Sequence, residues 1–384
     1  MLMVAVFATQ NSVMIVPPLL VEIATDLEIT VAVAGQLATV TAVGWAVSLL
    51  TIGPLSDSFG RRPVALCGLA LLAGSVLGSA FAPNLAVLLT LRVLTGLAGG
   101  TIPPTSVGVV SDVISPARRA QGVSGIIAIN GVAFAISAPM AAVLADWLGW
   151  RSAFLAAGGL LALALLASWV WYPRSNRERV HDWAFFSRYW SLLSLRYFRV
   201  AVLVGVTQRT AFWGVNGYLA AYLIHTYGVS EAFVALPLAI YGAGQVAGSY
   251  GAAFITASRR RALLIAVTSV AGGVSALLCF SVPMGSFWTT VALAVLGTTL
   301  LSVTMPALLS ISTEYSGDSK STGASLMGFS NQTSGALGAG IGGALLATTG
   351  YVGIGYLFLA VTIGGALLAG LFGRQFGEQA GKVG

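Results

Sequence analysis

Gly53-Pro54-Leu55-Ser56-Asp57-Ser58-Phe59-Gly60-Arg61-Arg62-Pro63 is the stretch on which the reading of this chain turns. It separates two long apolar runs, about 33–55 and 64–82. Gly53 permits close helix contact and Gly60 permits a tight turn. Asp57 puts a carboxylate at a helix end among arginines, where it can pair with Arg61, Arg62 or a neighbouring loop. Such a pair can latch one conformation of a two-state machine. An ordinary polar loop would account for the arginines alone, but not for the joint spacing of Gly, Asp and Gly-Arg-Arg.

Outward from this turn, the chain is overwhelmingly apolar. Its 384 residues are 57% hydrophobic and 8% charged, with a mean hydropathy of +0.89. A soluble domain carries about 25% charged residues, so the surplus apolar surface needs lipid for a solvent. Glycine is abundant at 47 residues, and small residues let membrane helices approach closely. The net charge of +7 lies in short clusters between apolar runs, which fits membrane topology better than nucleic-acid binding. Cys67 and Cys279 sit within apolar stretches without metal-ligand spacing and read as inert buried thiols. No basic leader or cleavage site precedes the first apolar run, so the first helix is expected to stay in the mature chain.

A spanning helix takes roughly 20 mostly apolar residues. That ruler predicts twelve, at about 3–21, 33–55, 64–82, 86–111, 121–144, 152–171, 199–223, 231–256, 262–281, 288–312, 322–346 and 352–372. With both termini in the cytoplasm, cytoplasmic loops hold 16 of the 19 Lys and Arg residues. Arg151 alone falls outside, and Arg92 and Arg209 fall within helices. One helix more or fewer would scramble this positive-inside bias.

The longest connection, 172–198, interleaves Arg174, Arg177, Arg179, His181, Arg188 and Arg196 with aromatics such as Trp183, Tyr189 and Trp190. Aromatic-plus-basic composition suggests a segment at the lipid headgroups. It divides the chain into an N-terminal six-helix bundle (1–171), a cytoplasmic linker (172–198) and a C-terminal six-helix bundle (199–384). The halves look related. The Arg61-Arg62 turn after the second helix is echoed by Arg259-Arg260-Arg261 after the eighth, and Asn130 by Asn331, at an offset of roughly 200 residues. Internal repeats with a substrate site between them are common in secondary transporters.

On the 53–63 stretch the chain resembles the major facilitator superfamily, whose cytoplasmic signature lies between the second and third helices. Leu91-Arg92-Val-Leu-Thr-Gly96 is similar to the family's Arg-x-x-x-Gly pattern in the fourth helix. Gly131 to Ala142 resembles the antiporter motif of drug exporters, with Pro139 in place but Ala138, Ala141 and Ala142 where glycines are usual. Trp150-Arg151-Ser-Ala-Phe154 is similar to the start of the sixth helix in the efflux branch. The resemblance implies an all-α membrane protein, two pseudo-symmetric six-helix bundles in the major facilitator fold. It also implies proton-coupled alternating access in the cytoplasmic (inner) membrane and a drug-resistance or efflux role. In relatives the residue at the Arg92 position, with Gly96, is implied in proton coupling. An Arg there can instead brace the bundle by bonding helix carbonyls.

Arginine within a bilayer is costly and usually functional. Arg209, Trp213 and Asn216 fall at i, i+4 and i+7 and share one helix face, flanked by Gln208, Tyr218 and Tyr222. Facing lipid would strand the guanidinium, so the face is expected to line a central cavity; snorkelling of Arg209 to the cytoplasm is the alternative. Asn11, Trp45, Asn130, Tyr241, Gln245 and Asn331 are further candidate cavity residues, though each alone is more often an interhelical hydrogen bond. Pro103-Pro104, Pro139 and Pro306 are expected to kink helices. No Asp or Glu lies deep within a predicted helix. Two buried arginines without a buried acid favour a neutral or anionic solute, since a carboxylate or phosphate can pair with Arg209 in a bidentate manner.

The reading is a non-enzyme without metal or cofactor. His181 and His225 have no nucleophile or acid near them in sequence, and no phosphate-binding Gly-Lys-Ser/Thr loop is present. The expected function is export of a small organic molecule driven by protons, by a monomer embedded in lipid. The alternatives are a symporter or exchanger of small organic anions and, further off, a non-transporting membrane receptor.

Overall fold

In lipid every backbone N–H and C=O must be satisfied by the protein itself, and an apolar run of roughly 20 residues does this by coiling into a helix. The computed structural model bears this out over the residues it describes: 1–113, 116–172, 185–256, 258, 260–281, 286–315 and 320–372. All regular elements among them are helical.

Contacts divide the chain into two compact units, Met1–Trp183 with Ser230–Ala239, and Ala184–Val229 with Ile240–Gly384. In the first unit α1 (Leu2–Met14), a 3-10 turn (Pro17–Leu19) and α2 (Leu20–Asp26) form one span, and α3 (Val31–Ala34) and α4 (Gln36–Phe59) the next. Then come α5 (Arg61–Ala80), α6 (Leu85–Gly99) continued by α7 (Ile102–Val113), α8 (Pro116–Leu148) and α9 (Trp150–Trp171). The second unit holds α10 (Phe185–Ser194), α11 (Arg196–Tyr227) and most of α12 (Glu231–Thr256). It continues with α13 (Arg261–Ser281), α14 (Phe287–Ser302), α15 (Thr304–Tyr315) and α16 (Lys320–Phe372).

Length and hydropathy alone mark 10 candidate spans among the described residues. One of these, Ser325–Leu371, is two helices in sequence, because Gly350 interrupts α16 at φ 70° and ψ −166°. Only glycine adopts that backbone without strain. The 32 residues of α11 are long enough to span, but Gln208, Arg209, Thr210 and Asn216 lower their hydropathy. With these two corrections the helices number twelve, the all-α major facilitator architecture expected from the sequence.

Breaks follow local chemistry. Pro17 and Pro18 carry no N–H, and the first span passes through a 3-10 turn there. Pro103 and Pro104 open α7 just after the Gly100-Thr101 interruption, where absent N–H groups cost little. Pro139, expected to kink its helix, lies inside the continuous α8. Side chains cap the helix starts: Asn84 Oδ1 accepts from Val87 N at 3.0 Å, and Ser286 Oγ from Thr289 N at 3.2 Å. The Arg61-Arg62 turn rests on Gly60, whose φ of 94° admits the reversal between α4 and α5.

Small residues bring backbones together within each unit. A Cβ placed on Gly44 would lie 2.6 Å from the Val93 carbonyl oxygen, so α4 and α6 cross nearly backbone to backbone. In the second unit a Cβ on Gly248 would overlap the Thr299 carbonyl, and one on Gly338 would stand 2.5 Å from the Thr210 oxygen. These crossings need van der Waals packing, because lipid offers helices no hydrophobic reason to associate.

Candidate functional site

The densest polar arrangement inside a unit surrounds Arg209. The residue is 8% exposed, on α11. Its Nε donates to Asn331 Oδ1 on α16 at 2.8 Å, and Trp213 Nε1 donates to the same oxygen at 3.1 Å. Asn331 Nδ2 in turn donates to Gln332 Oε1 at 3.1 Å. The guanidinium carbon lies 3.5 Å from the Phe212 ring centroid and 5.5 Å from that of Trp213, and the two rings meet edge to face. This is cation–π geometry. It holds the guanidinium plane while leaving both terminal amino groups without a hydrogen bond among the described residues.

From α12, Tyr241 and Gln245 are buried in the same unit. Gln245 Nε2 donates to Asn216 Oδ1 at 3.4 Å, and Tyr241 lies within electrostatic reach of Arg209. Arg209, Trp213 and Asn331 thus come together, with Asn216, Tyr241 and Gln245 beside them. Among the described residues no carboxylate acts on Arg209. The terminal amino groups of a guanidinium are the donors that a carboxylate takes in a bidentate manner.

Two other predicted residues point elsewhere. Gln208 is fully buried and donates to Ser269 Oγ on α13, away from the Arg209 face. Tyr218 donates to the Ala339 carbonyl at 2.6 Å and packs against Gly342, bracing α11 on α16. Phe212, the closest ring to Arg209, escaped the sequence reading although it sits one helical turn along from it.

In the first unit Arg92 is fully buried. It donates to the Ser12 carbonyl (Nη1, 3.2 Å) and to Ser79 Oγ (Nη2, 3.0 Å), and lies 4.9 Å from the Phe154 ring centroid. A Cβ on its motif partner Gly96 would overlap the Thr41 carbonyl, so Gly96 serves the α4–α6 crossing. Trp45 packs its ring on Gly99 in that crossing. Asn11 is completely buried, with neither amide atom hydrogen-bonded among the described residues, while Asn130 Nδ2 donates to its own helix at Ile126 O, 3.2 Å.

At the turn after α4, Arg62 Nη2 donates to the Trp169 carbonyl at 2.7 Å, closing the last turn of α9. Arg61 runs along α7, where a Cβ on Gly108 would overlap its guanidinium. Next to it, burial pushes the Tyr172 phenol up to about 12, with the Thr105 hydroxyl and the Arg61 charge acting the other way. The surroundings of Gly53 and the side chain of Asp57 lie outside the described residues, as does most of the basic connection, 173–184. At the opposite end of the unit, Arg151 pairs with Asp26 at 2.7 Å, and Glu22 Oε1 accepts from Trp150 N at 3.0 Å, capping α9.

Twelve helices of mostly lipid length, with a polar, cationic face held inside one unit, define a polytopic membrane protein of the secondary-transporter class. The comparisons specify the family. The sequence model of the Major Facilitator Superfamily matches residues 2–339, and the chain belongs to that superfamily of membrane transporters, not to an enzyme family. An MFS-type transporter of Bacillus subtilis (strain 168), YfhI, is 28% identical over 263 residues, covering 65% of this chain and 62% of that one. A gallate transporter of Pseudomonas putida is 36% identical over 140 residues, 35% of this chain and 30% of that protein. Both alignments thus span less than two thirds of the relative's length. Among solved structures, the fold is similar to the inward-facing, occupied form of a bacterial homolog of the human lysosomal transporter Spinster. The TM-score is 0.72 at 16% identity, covering 99% of this chain and 96% of that one.

Proposed function

We propose that this transporter carries a small organic anion, whose carboxylate docks on the terminal amino groups of Arg209. The observation that carries the reading is the guanidinium itself: buried, fixed by Asn331 and two aromatic rings, and acted on by no carboxylate among the described residues. A buried cation without a counter-charge is costly, and a cargo anion supplies the missing charge. Trp213, Tyr241 and Gln245 would contact the body of the cargo. The gallate transporter among the relatives supports the class, gallate being an aromatic carboxylate.

The rest of the proposal is alternating access in a bacterial cytoplasmic membrane, with both termini cytoplasmic and the proton gradient as driving force. Asp57 with Arg61 and Arg62 would latch one state. The efflux-like motif at Gly131 to Ala142 favours export, whereas the gallate relative favours exchange or symport of anions. Flux in proteoliposomes separates these. Benzoate movement is followed with an imposed pH gradient of either sign and with none. Export coupled to protons predicts accumulation against the proton flow. Symport predicts accumulation with it, and exchange predicts counterflow that ignores the gradient. No flux of any carboxylate, with robust flux of lipophilic cations, would discard the anion reading.

A further inference from the structure

The first span is not one helix. Pro17 and Pro18 offer no N–H, so the Met14 carbonyl loses its normal partner. Val16 N turns to Val13 O at 3.4 Å, and Leu19 N to Val16 O at 3.0 Å, closing the 3-10 turn. The Ser12 carbonyl, which a continuous helix would give to Val16 N, is therefore released. It is taken by Arg92 Nη1. The released carbonyls form the negative end of the α1 dipole, worth roughly half an elementary charge.

Arg92 needs such a partner. It is fully buried, and among the described residues no carboxylate acts on it. Its other contacts are neutral: Ser79 Oγ on α5, which donates onward to Ser75 O, and the face of Phe154 on α9. Its position is fixed in turn by the tight α4–α6 crossing. The cation and the broken helix end thus solve one another's problem: each would be a costly orphan alone.

We propose that Arg92 is a positioning residue that stabilises the discontinuity of the first span, its charge compensated by the freed α1 carbonyls and not by a titrating acid. The proposal is independent of the cargo assigned to Arg209. It differs from the proton-coupling role implied by family resemblance, because it needs no proton to move at Arg92.

The test uses the detergent-purified full chain and needs no cargo. R92M, R92Q and R92K are compared with wild type for apparent Tm and for amide hydrogen exchange of residues 12–20. The expected order of stability is wild type, then R92K, then R92Q and R92M together. Exchange at Ile15, Val16 and Leu19 should rise about tenfold in R92M, the loss of one charge-assisted bond. P17A/P18A returns N–H donors to the Val13 and Met14 carbonyls and lets Val16 N go back to the Ser12 carbonyl, so the R92M/P17A/P18A variant should regain most of the Tm and protection that R92M lost. A packing role alone would not be rescued by replacing the prolines. The proposal is overturned if R92Q matches wild type in Tm and exchange. It is equally overturned if P17A/P18A folds but leaves R92M unrescued, as a proton-coupling group would.

Discussion

Replacing Gly44 by alanine adds one methyl group at a close backbone approach between α4 and α6. The new Cβ would stand 2.6 Å from the Val93 oxygen, 3.0 Å from the Leu97 nitrogen and 3.3 Å from the Gly96 Cα. Comfortable contact for such atoms is about 3.5 Å, so the helices must part by roughly 0.5–1 Å. All three obstacles are backbone, and no side chain can swing aside. The overpacking cost is about 1–3 kcal/mol. Because α6 carries Arg92, the displacement also strains its bonds to Ser12 and Ser79. The assay is the apparent Tm of purified protein followed by tryptophan fluorescence, with Gly74→Ala on α5 as control, since a Cβ there meets nothing within 4 Å. We expect a drop of several degrees for Gly44→Ala and none for Gly74→Ala. Equal Tm values for the two variants would refute the backbone-contact argument.

Other perturbations follow from the same contacts. Asn331→Ala leaves the Arg209 Nε and the Trp213 Nε1 without their shared acceptor, at a cost of about 1–3 kcal/mol, read as a lowered apparent Tm and a weakened response to bound anions. Arg151→Met breaks a pair whose side chains are 41% and 39% exposed, so apparent stability should fall by less than about 1 kcal/mol, and the difference from wild type should shrink with added salt. Asp57→Asn should shift the balance of conformations, measured as spin-label distance distributions between the two units. Unchanged distributions with normal flux would remove Asp57 from the latch.

Much of this was legible in the sequence because lipid is an exacting solvent. Run lengths and the distribution of arginines predicted twelve helices, including α11, which hydropathy alone passes over. Helical spacing placed Arg209 and Trp213 on one face, and Asn331 emerges as the acceptor that both share. What escaped was tertiary. The partners of Arg92, Ser12 and Ser79, lie 80 and 13 residues away in sequence, and nothing local announces them. The Pro17-Pro18 pair was a readable signal for the break in the first span, but an apolar run hides a break because hydropathy does not register hydrogen bonds. Gln208 and Tyr218 looked like companions of Arg209. One is a single residue along the helix, a rotation of about 100°, and so faces α13. The other is a tyrosine whose hydroxyl found a carbonyl of α16.

The proposed pairing of Arg209 with an anionic cargo is probed directly by matched ligands. Benzoate, benzamide and benzyltrimethylammonium share an aromatic body and differ in charge. Thermal stabilisation of wild type and Arg209→Met by each is the decisive measurement. Benzoate alone should stabilise the wild type, and Arg209→Met should respond to none of the three. Stabilisation of the wild type by the cation, or an undiminished benzoate response in Arg209→Met, would contradict the assignment.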